Sequence, residues 1–217
     1  MAKINSINNK SGSLEIDPGA SGDSYVQFSI NTTGEFLIGV DDDDGDSFKI
    51  SQGSALGSND TFVVAASGEI TKPLQPAFLA YNSTTDSNVT GNSTEWSCDF
   101  DTEVFDKNAD FASDTFIAPV TGVYRFCCSV ILGGITSADI AYVKIITSNR
   151  NYGSRILDPS ACKASSGYVG LSFSCLADLD ASDTAYVTIT SGGEGSDIND
   201  VYGTSAPETF FAGYLVC

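Results

Sequence analysis

Along most of this chain, apolar and polar residues alternate, or apolar residues run together for five to nine positions. They almost nowhere recur at the three-and-four spacing of a helix face. The runs are "SYVQFSI", "EFLIGV", "SFKIS", "TFVVAA", "AFLAYN", "TFIAP", "GVYRFCCSVIL", "IAYVKIIT", "YVGLSFSCLADL", "AYVTIT" and the closing "TFFAGYLVC". Gly, Asn, Asp, Ser and Pro separate them. Alternation of period two sends successive side chains to opposite faces of a strand. The chain therefore reads as all-β.

Two strands carry most of the information. In "GVYRFCCSVIL", Tyr124, Phe126, Cys128 and Val130 share one face, and Arg125, Cys127, Ser129 and Ile131 share the other. The last nine residues, Thr209 to Cys217, hardly alternate at all. Phe211, Gly213, Leu215 and Cys217 point one way, and Phe210, Ala212, Tyr214 and Val216 the other. An uncovered apolar face of that size is unusual on a soluble monomer, so both faces are expected to be buried.

A boundary falls in "GEITKPLQPAF". Pro73 and Pro76 cannot sit in a central strand, which places a junction near residue 75. Residues 22–75 form a small β module whose apolar side chains need more cover than one meander gives. Intertwining with copies of itself would supply that cover. The run "VDDDDGDSF" tempts a calcium reading, but an EF-hand count back from Gly45 puts Val40 at its first position and Ser51 at its last, which fails. The plainer reading is a turn, with Asp44-Gly45 at the positive-φ positions.

Composition narrows the chemistry. The 217 residues carry a net charge of −18, which repels phosphate backbones and argues against nucleic acid. There is no histidine, which removes Ser-His-Asp and Cys-His catalysis and imidazole metal sites. No P-loop, G-x-G-x-x-G or G-x-S-x-G is present. Carboxylate-based glycoside hydrolysis is the residual enzymatic reading, with no pair marked out by spacing. No apolar stretch is long enough to insert as a membrane-spanning helix. "MAKINSINNKSGSLEI" lacks the apolar core of a signal peptide, so synthesis in a cytosol is expected. The six Asn-x-Ser/Thr sequons then read as by-products of an Asn/Ser/Thr-rich sequence. None of the six cysteines has C-x-x-C spacing. Free buried thiols are expected, with one or two disulfides formed after release as the alternative.

The segment from residue 76 onward has a recognisable order: "PAFLAYN", then "FIAPVTGVYRF", then "ETFFAGYLVC". It resembles the globular head of the complement C1q/tumour necrosis factor superfamily. The middle motif is carried by Phe116, Ala118, Pro119, Gly122, Tyr124 and Phe126, and the closing one by Phe211, Gly213, Tyr214 and Leu215. The resemblance implies a ten-stranded jelly roll that assembles as a homotrimer. It places the last strand in the inner sheet, with Phe210, Ala212, Tyr214 and Val216 as the trimer interface. The collagen repeats usual in vertebrate members are missing. Instead, "GDSYVQFSI", "GEFLIGVDDDDGDSFKIS" and "LGSNDTFVVAASGEI", within residues 22–71, resemble trimeric shaft segments of phage and viral fibres.

Together these imply a non-enzymatic virion fibre in three parts: an attachment peptide (1–21) holding other virion proteins, a β shaft or collar (22–75) and a head (76–217). Its location is the virion after synthesis in a host cytoplasm, or alternatively the extracellular space. The head is expected to bind a host-surface glycan or protein, with Trp96, Arg150, Tyr152, Arg155 and Tyr202 as the contacts. The alternative is a capsid-decoration or head-fibre trimer that stabilises a particle. No cofactor is required. Calcium, which some heads of this superfamily bind, has candidate ligands in Asp178, Asp180, Asp183, Glu194 and Asp197.

Overall fold

The computed structural model describes residues 15–19, 21–31 and 33–217. The expected attachment peptide lies mostly outside the described residues. The chain divides into two compact units, one ending at Leu74 and the other beginning at Gln75.

The first unit is an antiparallel meander of β1 (Ser24–Ile30), β2 (Thr33–Asp41), β3 (Ser47–Gln52), β4 (Asp60–Val64) and β5 (Ile70–Thr71). Its register aligns Val26, Ile38, Ile50 and Phe62 in one row, and Val40, Phe48, Val64 and Ile70 in the next. Phe28 lies opposite Phe36. All ten share one face. Six of them (Val26, Phe28, Phe36, Val40, Phe48 and Ile70) are exposed in the single chain.

The other face holds Leu37, Ser51 and Lys49, all buried. The Lys49 ammonium meets the carboxylates of Asp41 at 2.8 Å, Asp44 at 2.6 Å and Asp60 at 3.1 Å. Burial works to lower its pKa, but these three carboxylates more than offset burial and hold it above the ordinary lysine range. The acid run is thus partly spent on an internal cation. The turn itself is a 3-10 turn over Asp42–Asp44, followed by left-handed Gly45 (φ 62°) and Asp46 (φ 59°). The positive-φ pair falls one residue later than expected, because Asp44 completes the right-handed turn.

The second unit is a two-sheet sandwich. One sheet, six-stranded, runs β10 (Phe111–Ala112), β11 (Thr115–Ile117), β16 (Thr184–Gly192), β13 (Ile140–Thr147), β14 (Asn151–Leu157), with β8 (Glu95–Ser97) also paired to β16. The other, seven-stranded, runs β7 (Asp86–Thr90), β17 (Asn199–Val201), β12 (Gly122–Gly133), β18 (Phe210–Leu215), β6 (Ala77–Tyr81), β9 (Thr102–Asp106), with β15 (Val169–Leu179) also paired to β12. A single turn of helix, α1 (Pro159–Cys162), follows β14. The two sheets hold thirteen strands rather than ten. The excess lies in pieces of two or three residues, such as β8, β10 and β17.

Period-two alternation builds the core between the sheets. Tyr124, Phe126, Cys128, Val130 and Leu132 of β12 face inward and are buried. Phe78, Phe111, Phe116, Phe126 and Phe211 join them in one aromatic cluster, with the Phe78 ring 4.8 Å from Phe111 and 5.0 Å from Phe211. Gly213 is required here. A Cβ on it would lie 2.4 Å from the Phe126 ring and 2.9 Å from the Phe78 ring. All six cysteines are free thiols, and burial pushes the Cys98 and Cys128 thiols up, Cys128 to about 12.

Replacing Lys49 with Met leaves Asp41 and Asp60 facing one another without a counter-charge. The expected cost is about 3–5 kcal/mol, the usual price of breaking a buried ion pair. Urea unfolding of Lys49→Met against wild type checks this. An unchanged midpoint would show that the carboxylates relax into solvent instead.

Candidate functional site

Two surfaces of the second unit invite partners. The first is the outward face of the seven-stranded sheet. Cross-strand pairing sets Leu79, Ala212, Cys127 and Ser174 in one row. Ala77, Tyr214, Arg125 and Leu176 form the next. Tyr214 is 48% exposed, Val216 45% and Leu176 60%. Phe210 and Ala212 are half-buried. Within one chain, therefore, only the Phe211 and Gly213 side of the last strand is covered.

The second surface is the outward face of the six-stranded sheet. There the register places Glu95, Thr190, Tyr142 and Arg155 in one row across β8, β16, β13 and β14. Ser97, Thr188, Lys144 and Gly153 form the neighbouring row. Tyr142, Lys144, Asn151, Gly153 and Arg155 line an open concavity of about 290 Å³. A separate concavity of about 300 Å³, lined by Ile131, Tyr168, Tyr202 and Glu208, lies elsewhere on the unit.

The five expected contact residues do not form one site. Trp96 lies in a strand, opposite Ile189, and packs against the core with its indole N–H buried and unpaired. Tyr152 pairs with buried Ile145, packs on the core, and directs its hydroxyl towards Asp178 at 3.5 Å. Arg150 is tied to Asp178 at 2.6 Å. Tyr202 packs edge-on against Tyr168 in the separate concavity. Arg155 alone projects freely from the outer sheet face. Three of the five stand on strands: Trp96 on β8, and Tyr152 and Arg155 on β14. Tyr142 and Lys144 were missed. Their signal was present as the alternating outward positions of "IAYVKIIT".

The candidate calcium ligands fall into two separate groups. Asp178, Asp180 and Asp183 precede β16, whereas Glu194 and Asp197 follow it. That nine-residue strand separates them by roughly 26 Å at about 3.3 Å per residue. No group of metal-binding residues forms among the described residues. Asp183 instead accepts from the Asn149 amide and the Asp180 N–H, and Asp197 from the Asn92 N–H and the Thr94 hydroxyl.

Glu194 is a buried staple. One of its oxygens accepts from the N–H groups of Thr136, Ser137 and Ala138 at 2.7–3.1 Å. The other accepts from the Thr136 and Ser137 hydroxyls. Burial pushes this carboxyl up, but the hydrogen bonds from Thr136 and Ser137 outweigh it and hold the pKa down at about 2. Asp99 goes the other way. Burial first, then the neighbouring charges of Asp114, Asp86 and Asp101, raise it to about 6.

Comparison with known families is decisive for this two-sheet sandwich. The C1q domain model matches residues 77–216, well over half of the chain. The chain belongs to the C1q family. Solved structures similar to it include the globular domain of zebrafish complement 1qA protein, at 16% identity over 66% of this chain and 98% of that one, TM-score 0.45. Murine APRIL at pH 8.5 is another, at 14% identity over 66% and 99%, TM-score 0.40. Comparison with curated proteins finds no match. In this C1q domain the family motif residues Phe116, Ala118, Tyr124, Phe126 and Phe211 are all core.

Two pH effects of opposite sign follow. A depressed carboxyl stabilises the fold above its unfolded pKa, and that contribution fades as pH falls through the folded value. Glu194→Gln should therefore lower the melting temperature at pH 7, with the deficit shrinking between about 4.5 and about 2. A raised carboxyl gives its greatest stability below 3.8 and loses it as pH rises through about 6. Asp99→Asn should raise the melting temperature at pH 8 and leave it unchanged at pH 3.5. Scanning calorimetry across this range reads both, and a pH-independent difference for either variant would refute its assignment.

Proposed function

We propose that this chain is one subunit of a non-enzymatic homotrimeric binding protein: a virion fibre whose C1q domain recognises a molecule on a host surface. C1q domains commonly form trimers and bind ligands. One observation carries the reading. Each unit leaves a sheet face rich in apolar side chains uncovered in the single chain: the Val26–Phe62 face in the first and, in the second, the Tyr214–Leu176 face, which also carries exposed Arg125. Neighbouring copies would cover each of these faces, and a three-fold arrangement would give each copy the same surroundings. The likeness of residues 22–71 to fibre shafts supports the virion role. Three heads per fibre let weak single contacts add through avidity.

Solution mass tests the assembly. Light scattering should give three times the 22.7 kDa chain mass. Tyr214→Asp or Val216→Asp, each placing a charge on the exposed apolar face, should yield monomer or aggregate. A variant that stays a stable trimer would move the interface elsewhere. For the role, fluorescently labelled trimer titrated onto a panel of bacterial strains should bind at least one saturably. A stable trimer that binds none would leave particle decoration as the function.

A further inference from the structure

The concavity beside Arg155 has a neighbour on the same sheet face. A second open concavity, about 410 Å³, is lined by Ser93, Glu95, Ile140, Tyr142, Lys144 and Thr190. Tyr142 and Lys144 border both, so the two concavities lie side by side across β8, β16, β13 and β14 and together make up the groove. Gly153, which lines the first concavity, has little room for a side chain. A Cβ there would come within 3.0 Å of the Val143 carbonyl and 3.1 Å of the Lys144 side chain.

The charges along the groove are unequal. Lys144 is neutralised by Glu95 at 2.5 Å. Arg155 lies directly opposite Tyr142, is exposed, and makes no ion pair among the described residues. Of the three arginines, Arg150 is paired with Asp178; among the described residues Arg125 lies unpaired on the seven-stranded sheet, and Arg155 is the one guanidinium without an ion pair on the six-stranded sheet face. On the same sheet face, the Thr188 hydroxyl is buried without a hydrogen-bond partner, in register between Ser97 and Lys144. Buried polar atoms are ordinarily satisfied.

We propose that this groove binds an acidic saccharide, with the Arg155 guanidinium on the sugar carboxylate and the Tyr142 ring against the sugar's apolar face. The planar fork of arginine matches a carboxylate with two parallel hydrogen bonds. Asn151, Thr190 and Ser93 offer donors and acceptors to hydroxyls along the groove. Neither concavity is enclosed, so neither offers a socket for a peptide side chain, whereas a sugar laid on a sheet face needs none. The proposal rests on the reading of the head as a binding module and names its ligand class.

Calorimetric titration of the full-length protein with 3′-sialyllactose and with tri-galacturonate, each against lactose, tests it. At least one acidic sugar should bind saturably and at least tenfold more tightly than lactose. Arg155→Ala should abolish that preference, Arg155→Lys should retain part of it, and Tyr142→Ala should weaken binding of the same sugar. Arg150→Ala, which alters a guanidinium already paired with Asp178, should change nothing. Raising salt from 50 to 500 mM should weaken the interaction, since the cation is exposed. Equal affinity for acidic and neutral sugars, binding of neither, or full binding by Arg155→Ala overturns the proposal, as does binding of a poly-glutamate peptide alone. The cell assay separates the two readings. Cells bound equally by wild type and Arg155→Ala sink this site and keep the receptor role; sugar bound by a trimer that binds no cells does the reverse.

Discussion

The aromatic cluster of the C1q domain is the constraint on which the rest depends. Phe78, Phe111, Phe116, Phe126 and Phe211 come from five different strands and meet between the two sheets. Buried rings of this size dominate core energetics, and their edge-on and offset contacts fix mutual geometry. The cluster closes only because Gly213 lets the last strand pass against the Phe126 and Phe78 rings. Once those rings point inward, the period of the strand leaves no choice for their neighbours. Ala212 and Tyr214 must point outward beside Arg125 and Cys127.

The same logic governs the first unit in a different currency. Its interior face is not aromatic but ionic: one lysine holds three carboxylates beside Leu37 and Ser51. A buried cation of that kind is tolerated only while fully paired. Its presence commits Leu37, Lys49 and Ser51 to one side and sends Val40, Phe48 and Ile50 to the other. Both units therefore export an apolar face as the geometric complement of what they bury.

How much of this was legible in the sequence depended on side-chain contrast. The eleven apolar runs are all strands, and the two faces of β12 and β18 were assigned residue by residue from alternation alone. The short polar strands β7, β8, β9 and β17 were not, because "DSNVT", "EWS", "TEVFD" and "NDV" look like loop and are strands only through tertiary pairing. Lys49 was overlooked for a related reason. In "SFKIS" a lysine reads as the solvent-facing member of the alternation, and only the fold brings Asp41 and Asp60 to it. Trp96 and Tyr152, singled out as surface aromatics, sit at positions where alternation turns them onto the core. Arg155, at the outward position of an edge strand, remains at the surface.

The distribution of charge then acquires meaning. With few cations in the C1q domain, its carboxylates are satisfied chiefly by neutral donors: Glu194 by three backbone N–H groups and two hydroxyls, Asp101 by Ser83, Asp114 by the Phe100 N–H. Such hydrogen bonds fix loops without cancelling charge, so the surface stays strongly negative and repels anions at long range. A bound carboxylate must then be drawn in by a local feature rather than by the overall field. The unpaired Arg155 guanidinium opposite Tyr142, at the concave outward face of the six-stranded sheet, is such a feature. In the proposed trimer three copies would repeat it around one assembly, so that each contact would need to supply only part of the affinity.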